Sequence, residues 1–139
     1  MSAERPVILC VDDEAVILLA MRQELRRGFG DRFSIETALG STEAENAIAG
    51  LEAKGVGIAL VICDWFMPGV RGDRFLIELR EKRPWIKSIL ITGQTDGDLL
   101  ARAKEEAGIF ACFQKPWRPE ALAAAIEDCL SALPRTEAT

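Results

Sequence analysis

The chain has 139 residues, of which 49% are hydrophobic and 28% charged, with a formal net charge of −5 and a pI near 4.9; this is the balance of one globular domain and excludes a disordered or fibrous chain. Lys and Arg are scattered rather than gathered into a stripe, so direct binding to nucleic acid has little electrostatic support. No apolar run approaches a membrane-spanning length, and Met1-Ser2-Ala3-Glu4-Arg5-Pro6 lacks the basic region and apolar block of a signal peptide, so the expected compartment is the cytoplasm.

The first apolar run, Val7-Ile8-Leu9-Cys10-Val11, lacks polar alternation, as expected of a parallel strand covered on both faces. Asp12 and Asp13 follow it directly. Ile17, Met21 and Leu25 then recur at helical spacing, residues 33–38 read as a second strand, and Ala44, Ala47, Ile48 and Leu51 read as the buried face of a second helix. The third strand, residues 58–63, is almost wholly apolar and ends at Asp64, after which Met67-Pro68-Gly69 turns the chain away. Leu76 and Leu79 mark a third helix, and residues 88–91 form a fourth strand followed by Thr92.

Between Gly93 and Gly108 only a narrow stripe of Leu99, Leu100 and Ala103 stands among charged residues, the weakest helical signal in the chain. Residues 109–113 read as a fifth strand leading to Lys115. Leu122, Ile126 and Leu130 form the buried stripe of a last helix, with Pro119 in its first turn and Leu133-Pro134 at its exit. Residues 1–133 then make the domain, and 134–139 a tail or the start of a linker.

Strict alternation of strand and helix predicts an α/β fold: five β-α units in a doubly wound parallel sheet with right-handed crossovers and helices on both faces. Cys10, Cys63 and Cys112 fall in apolar strand runs, and with Cys129 they form no closely spaced pair, so all four read as buried reduced thiols. The chain contains no His, which removes the commonest zinc ligand and the commonest general base.

Five polar residues break the pattern, all at carboxyl ends of strands: Asp12, Asp13, Asp64, Thr92 and Lys115. Each alone has a plainer reading. An Asp after a strand is often a helix cap, Thr92-Gly93 a turn, and a lone Lys a solvated charge. Together they are hard to assign to turns, because open doubly wound sheets bind ligands outside those strand ends. With strand order 2-1-3-4-5, the three carboxylates converge in one crevice, where their repulsion calls for a cation. Mg²⁺ suits hard oxygen ligands and phosphate oxygens, Lys115 supplies a compact positive charge, and Thr92 offers a hydroxyl to a phosphoryl oxygen. Asp64, alone at its strand end, is the expected nucleophile for an aspartyl-phosphate.

The motifs "VILCVDDE", "VICDWFMPGVRGDRFL", "SILITGQ" and "FQKPW" make the chain resemble the receiver domain of two-component response regulators, over residues about 5 to 132. The resemblance implies a flavodoxin-like, three-layer domain in which Asp64 accepts a phosphoryl group from a sensor histidine kinase or phosphotransfer protein. It also implies Mg²⁺ held by Asp13, Asp64 and the backbone carbonyl of Phe66, with Asp12 acting largely through water. Thr92 and Lys115 would contact the phosphoryl group, Gly93 would leave the site open, and the Lys115-Pro116 bond would be cis. Phosphorylation would then alter a surface on the fourth helix, fifth strand and fifth helix, read by an output domain, a downstream protein or a second copy of the chain.

Two positions depart from the family pattern. Cys112 stands where receivers usually carry Tyr or Phe, and strand alternation points adjacent Phe113 to the opposite face. Phe66 replaces a side chain that is polar in many relatives, and either screens the aspartyl-phosphate from water or covers the rim. "FQKPW" and "DWFMPG" look most like receivers of hydrogenase-type transcriptional regulators and of cyclic-dinucleotide phosphodiesterases. Two other readings stand beside the phosphoacceptor: an Mg²⁺-dependent phosphatase using an aspartyl-phosphate, and a degenerate receiver that only binds. The first wants a D-x-D pattern that Asp12-Asp13-Glu14 does not supply, and the second is disfavoured by the complete set of five polar residues.

Overall fold

In a computed structural model of the chain, residues 5–64, 72–93, 101, 105 and 108–138 are described. Five strands, β1 (Val7–Val11), β2 (Ser34–Ala38), β3 (Ile58–Asp64), β4 (Lys87–Thr92) and β5 (Ala111–Gln114), form one parallel sheet in the order β2-β1-β3-β4-β5. Four helices are present among the described residues: α1 (Ala15–Phe29), α2 (Ser41–Ala53), α3 (Gly72–Lys82) and α4 (Pro119–Ala138). This is the α/β architecture expected from the sequence. The helix expected near residues 96–107 falls largely outside the described residues.

Strand alternation divides the core into two layers. Val7, Leu9, Val11, Val61, Cys63 and Leu90 face Ala44, Ile48, Phe75, Leu76 and Leu79 of α2 and α3. Ile8, Cys10, Leu60, Ile62, Ile89 and Ile91 face Leu18, Met21 and Leu25 of α1 and Leu122, Ile126 and Cys129 of α4. Consecutive residues of β1, β3 and β4 are therefore buried on opposite sides, which explains runs that lack polar alternation. Each fully buried aliphatic contributes about 1.5–3 kcal/mol by its removal from water.

Several local expectations shift. The buried stripe of α1 is Leu18, Met21, Leu25 and Phe29, and Ile17 sits half-buried at its margin, because the helix presents the face one residue on. Leu130 is likewise half-buried, with Cys129 taking the core position. Cys112 is half-buried rather than buried, because β5 is an edge strand. It packs on the α2/α3 side while Phe113 packs on the other, as alternation requires. The last helix continues past the expected exit at Pro134 to Ala138. Proline has a helix-compatible φ and removes only one backbone donor, so a helix end can pass through it.

The exit of α2 shows how sequence punctuates the fold. Gly55, at φ +74°, follows Lys54 and donates to the Glu52 carbonyl at 3.0 Å, while Val56 N–H donates to the Leu51 carbonyl at 2.9 Å. Val56 and Leu51 belong to the same apolar cluster, completing a Schellman ending that needs a residue free to adopt positive φ. Just before it, Arg83 Nε and Nη2 donate to the two Glu52 carboxylate oxygens at 2.6 and 2.9 Å. That hydrogen bond and charge hold the Glu52 carboxyl below its ordinary value. The Glu52 side chain is 40% exposed, so Glu52→Ala is expected to cost under about 1 kcal/mol in denaturant unfolding. A loss well above that would mean the fork carries more of the fold than its exposure implies.

Candidate functional site

Parallel register assembles the site. Val11, the last residue of β1, is opposite Cys63 of β3, so Asp12 and Asp64, the next residue on each strand, reach the same edge of the sheet. Asp64 is opposite Ile91 of β4, which puts Thr92 one position further on, and Thr92 pairs with Gln114 of β5. The Lys115 N–H then donates to the Thr92 carbonyl at 2.8 Å. The Lys115-Pro116 bond is cis, as the resemblance implied.

At this edge Asp12, Asp64 and Thr92 are 2%, 5% and 1% exposed, while Asp13 faces solvent. One carboxylate oxygen from each of Asp12, Asp13 and Asp64 lies within 4.8 Å of the others. Lys115 Nζ is 3.0 Å from Asp12 Oδ2 and 3.2 Å from Asp64 Oδ1. Four of the five expected residues therefore meet directly, and Thr92 borders them through register. Asp12 also serves as a turn residue rather than as the helix cap: its Oδ1 accepts the Glu14 N–H at 2.9 Å, while Glu14 itself stands at the N-cap of α1. Phe66, expected to lend its carbonyl, lies outside the described residues. A Cβ built on Gly93 would meet nothing within 4 Å, so there is open space beside Thr92.

The electrostatics reflect crowding. Burial pushes the Asp64 carboxyl up to about 6, the Asp12 charge adds to the rise, and Lys115 opposes it. Asp12 is raised as well, chiefly by burial, against the pull of the Glu14 N–H and Lys115. Burial disfavours the Lys115 charge, but its bonds to Asp12 and Asp64 outweigh that and hold it above the usual Lys value. One ammonium thus faces three carboxylates, an arrangement that favours a further cation. Hard oxygen donors gathered this closely, half open to water, fit Mg²⁺ with its retained water ligands.

Two residues of the neighbourhood were not foreseen. Glu14 Oε1 stands 3.7 Å from Lys115 Nζ, adding a fourth acidic group at the rim; the acidic run Asp12-Asp13-Glu14 was its only signal. The Trp117 indole N–H reaches the Glu24 carboxylate at 3.1–3.2 Å, and no sequence pattern joins two residues so far apart.

The chain matches the family described as response regulator receiver domain over residues 8–127. It is 32% identical over 132 residues to the hydrogenase transcriptional regulatory protein HoxA of Cupriavidus necator, covering 95% of this chain and 26% of that protein. It is 28% identical over 130 residues to sensor kinase CckA of Brucella abortus, covering 94% of this chain and 13% of that one. The chain thus spans about a quarter or less of these curated relatives. Among solved structures, the signal receiver domain of an HD domain-containing protein from Pseudomonas fluorescens Pf-5 matches with a TM-score of 0.81 and 30% identity, covering 92% of this chain and 96% of that one. The similarity to HoxA agrees with the hydrogenase-regulator resemblance of the "FQKPW" and "DWFMPG" motifs.

Proposed function

Because the chain belongs to the response regulator receiver domain family, we propose that Asp64 is its phosphoacceptor, taking a phosphoryl group from a phosphohistidine of a sensor kinase or phosphotransfer protein. The observation that carries this reading is the convergence of three carboxylate oxygens within 4.8 Å with Lys115 Nζ 3.2 Å from Asp64. Asp64 Oδ attacks phosphorus, the phosphorus–nitrogen bond breaks, and the phosphoryl group passes to the carboxylate as a mixed anhydride. Lys115 then faces both the new phosphoryl charge and Asp12, and the Thr92 hydroxyl donates to a phosphoryl oxygen. Asp13, Asp64 and the Phe66 carbonyl would hold Mg²⁺, with Asp12 acting through water; the ion supplies neutralisation of the charge gathered during transfer.

The receiver role is that of a signalling phosphoacceptor. Its only chemistry on this reading is its own phosphoryl uptake and hydrolytic loss. The switched surface is formed by residues 96–107, β5 and α4, and an output domain, a downstream protein or a second copy of the chain reads it through a charge-biased two-state element. Among the described residues no helix is long and apolar enough to cross a membrane, in keeping with a cytoplasmic site of action. On this reading the domain proper comprises residues 1–133, with α4 carrying the chain on to Ala138.

Incubation with Mg²⁺ and a small acyl-phosphate, followed by intact mass, is expected to show a single added phosphoryl group. No modification with any donor would favour a purely binding module, and steady turnover of phosphomonoesters would favour the phosphatase.

A further inference from the structure

We propose that Trp117 and Glu24 form a clamp that aims Lys115 into the carboxylate cluster, acting as positioning residues for the phosphoryl site. The inference rests on the phosphoacceptor reading, but the clamp lies outside the residues assigned to the metal and the phosphoryl group.

Lys115 stands just past an edge strand, on a long stem whose ammonium must be held against its own rotamer freedom. Upstream, its N–H is bonded to the Thr92 carbonyl at 2.8 Å, which ties it to the end of β4. Downstream, Trp117 makes a hydrogen bond of its own. Its indole Nε1 lies 3.1 and 3.2 Å from the two Glu24 carboxylate oxygens, a part-buried contact between residues 93 positions apart. Indole is a donor only, and donation to a carboxylate is among the stronger hydrogen bonds.

Both ends of this bond are anchored. Trp117 packs against the apolar cluster shared by α1 and α4, and Glu24 lies beside Leu25, 2% exposed in the same cluster. The segment carrying Lys115 is therefore pinned to β4 before the side chain and to α1 after it. Beside the contact runs a groove of about 430 Å³ lined by Ile17, Glu24, Lys115, Pro116 and Trp117. If the indole is released, the loop has room to shift and carries Lys115 with it.

The test compares Trp117→Phe, which keeps a ring but removes the N–H, with Glu24→Ala and Glu24→Gln, each alone and with Lys115→Ala. Trp117→Phe and Glu24→Ala are expected to slow phosphorylation by acyl-phosphate about fivefold, the scale of one hydrogen bond. Glu24→Gln, which keeps an acceptor oxygen, restores most of the rate lost in Glu24→Ala. In the Lys115→Ala background the same substitutions should change the rate less than about twofold, because a positioning effect vanishes with the group it positions. Equal slowing in both backgrounds would assign the pair to stability alone and overturn the proposal.

A second readout does not require phosphorylation. Competitive acetylation read by mass spectrometry should label Lys115 several times faster in Trp117→Phe than in wild type, relative to exposed Lys54. A wild-type chain that takes up no phosphoryl group would defeat the phosphoacceptor reading, while an unchanged Lys115 labelling ratio would defeat the clamp.

Discussion

Asp64→Asn is expected to take up no phosphoryl group and yet, without metal, to be more stable than wild type at pH 7. Burial and the neighbouring Asp12 charge place the folded Asp64 carboxyl at about 6, above an ordinary value of 3.8. At acid pH below both values the group is protonated whether folded or not, and it contributes nothing. As pH rises between about 4 and 6 the unfolded chain releases its proton first, so stability falls through that window and stays lower above it. A gap of that size is worth about 3 kcal/mol.

Asn keeps the shape and an acceptor oxygen toward Lys115 but never ionises, so the expected gain is about 1–3 kcal/mol at pH 7 and close to none at pH 4. Thermal melts in chelator across that range read it directly. Adding Mg²⁺ should stabilise wild type more than Asp64→Asn, since binding to the native state adds its own term. Loss of phosphoryl uptake combined with higher stability separates removal of the nucleophile from misfolding. An Asn variant less stable than wild type at pH 7 in chelator would show that the carboxylate is not under the strain inferred here.

Lys115→Ala is expected to act in the opposite direction. It leaves Asp12 and Asp64, 2% and 5% exposed, without the cation at 3.0 and 3.2 Å. Breaking a buried ion pair by removing one partner costs about 3–5 kcal/mol. Because the Lys115 side chain is 20% exposed and water can reach its place, about 2–3 kcal/mol is expected at pH 7 without metal.

The loss should shrink at pH 4.5, where Asp64, pushed up to about 6, is largely protonated and needs no counter-charge. It should shrink again with Mg²⁺ at pH 7. On the alkaline side the wild-type advantage, carried by a Lys held above its ordinary 10.5, is fully present below that value and is lost as pH rises through the higher folded value. The double variant with Asp64→Asn should recover part of the stability, because one of the stranded charges is gone. A Lys115→Ala penalty that did not vary between pH 4.5 and 7 would point to lost packing of the lysine stem instead.

The sequence by itself determined the class of fold and the chemical character of the site. A short unbroken apolar run such as Leu60-Val61-Ile62-Cys63, too brief for a buried helix, reads as a strand covered on both faces, and Leu122 and Ile126 stand at helical spacing, because both patterns record local burial. Asp12, Asp13, Asp64 and Lys115 were legible because a charge ending such a run is costly without a task. The half-burial of Cys112 and the margin position of Ile17 were not, since edge exposure and helix rotation depend on neighbours in the sheet. The meeting of Lys115 with Asp64 was expected from their strand ends, but only the tertiary structure decided that Lys115 also bridges to Asp12, 103 residues away, and that Trp117 donates to Glu24. Those meetings are products of strand register and crossover, which bring together residues whose local patterns carry no trace of one another.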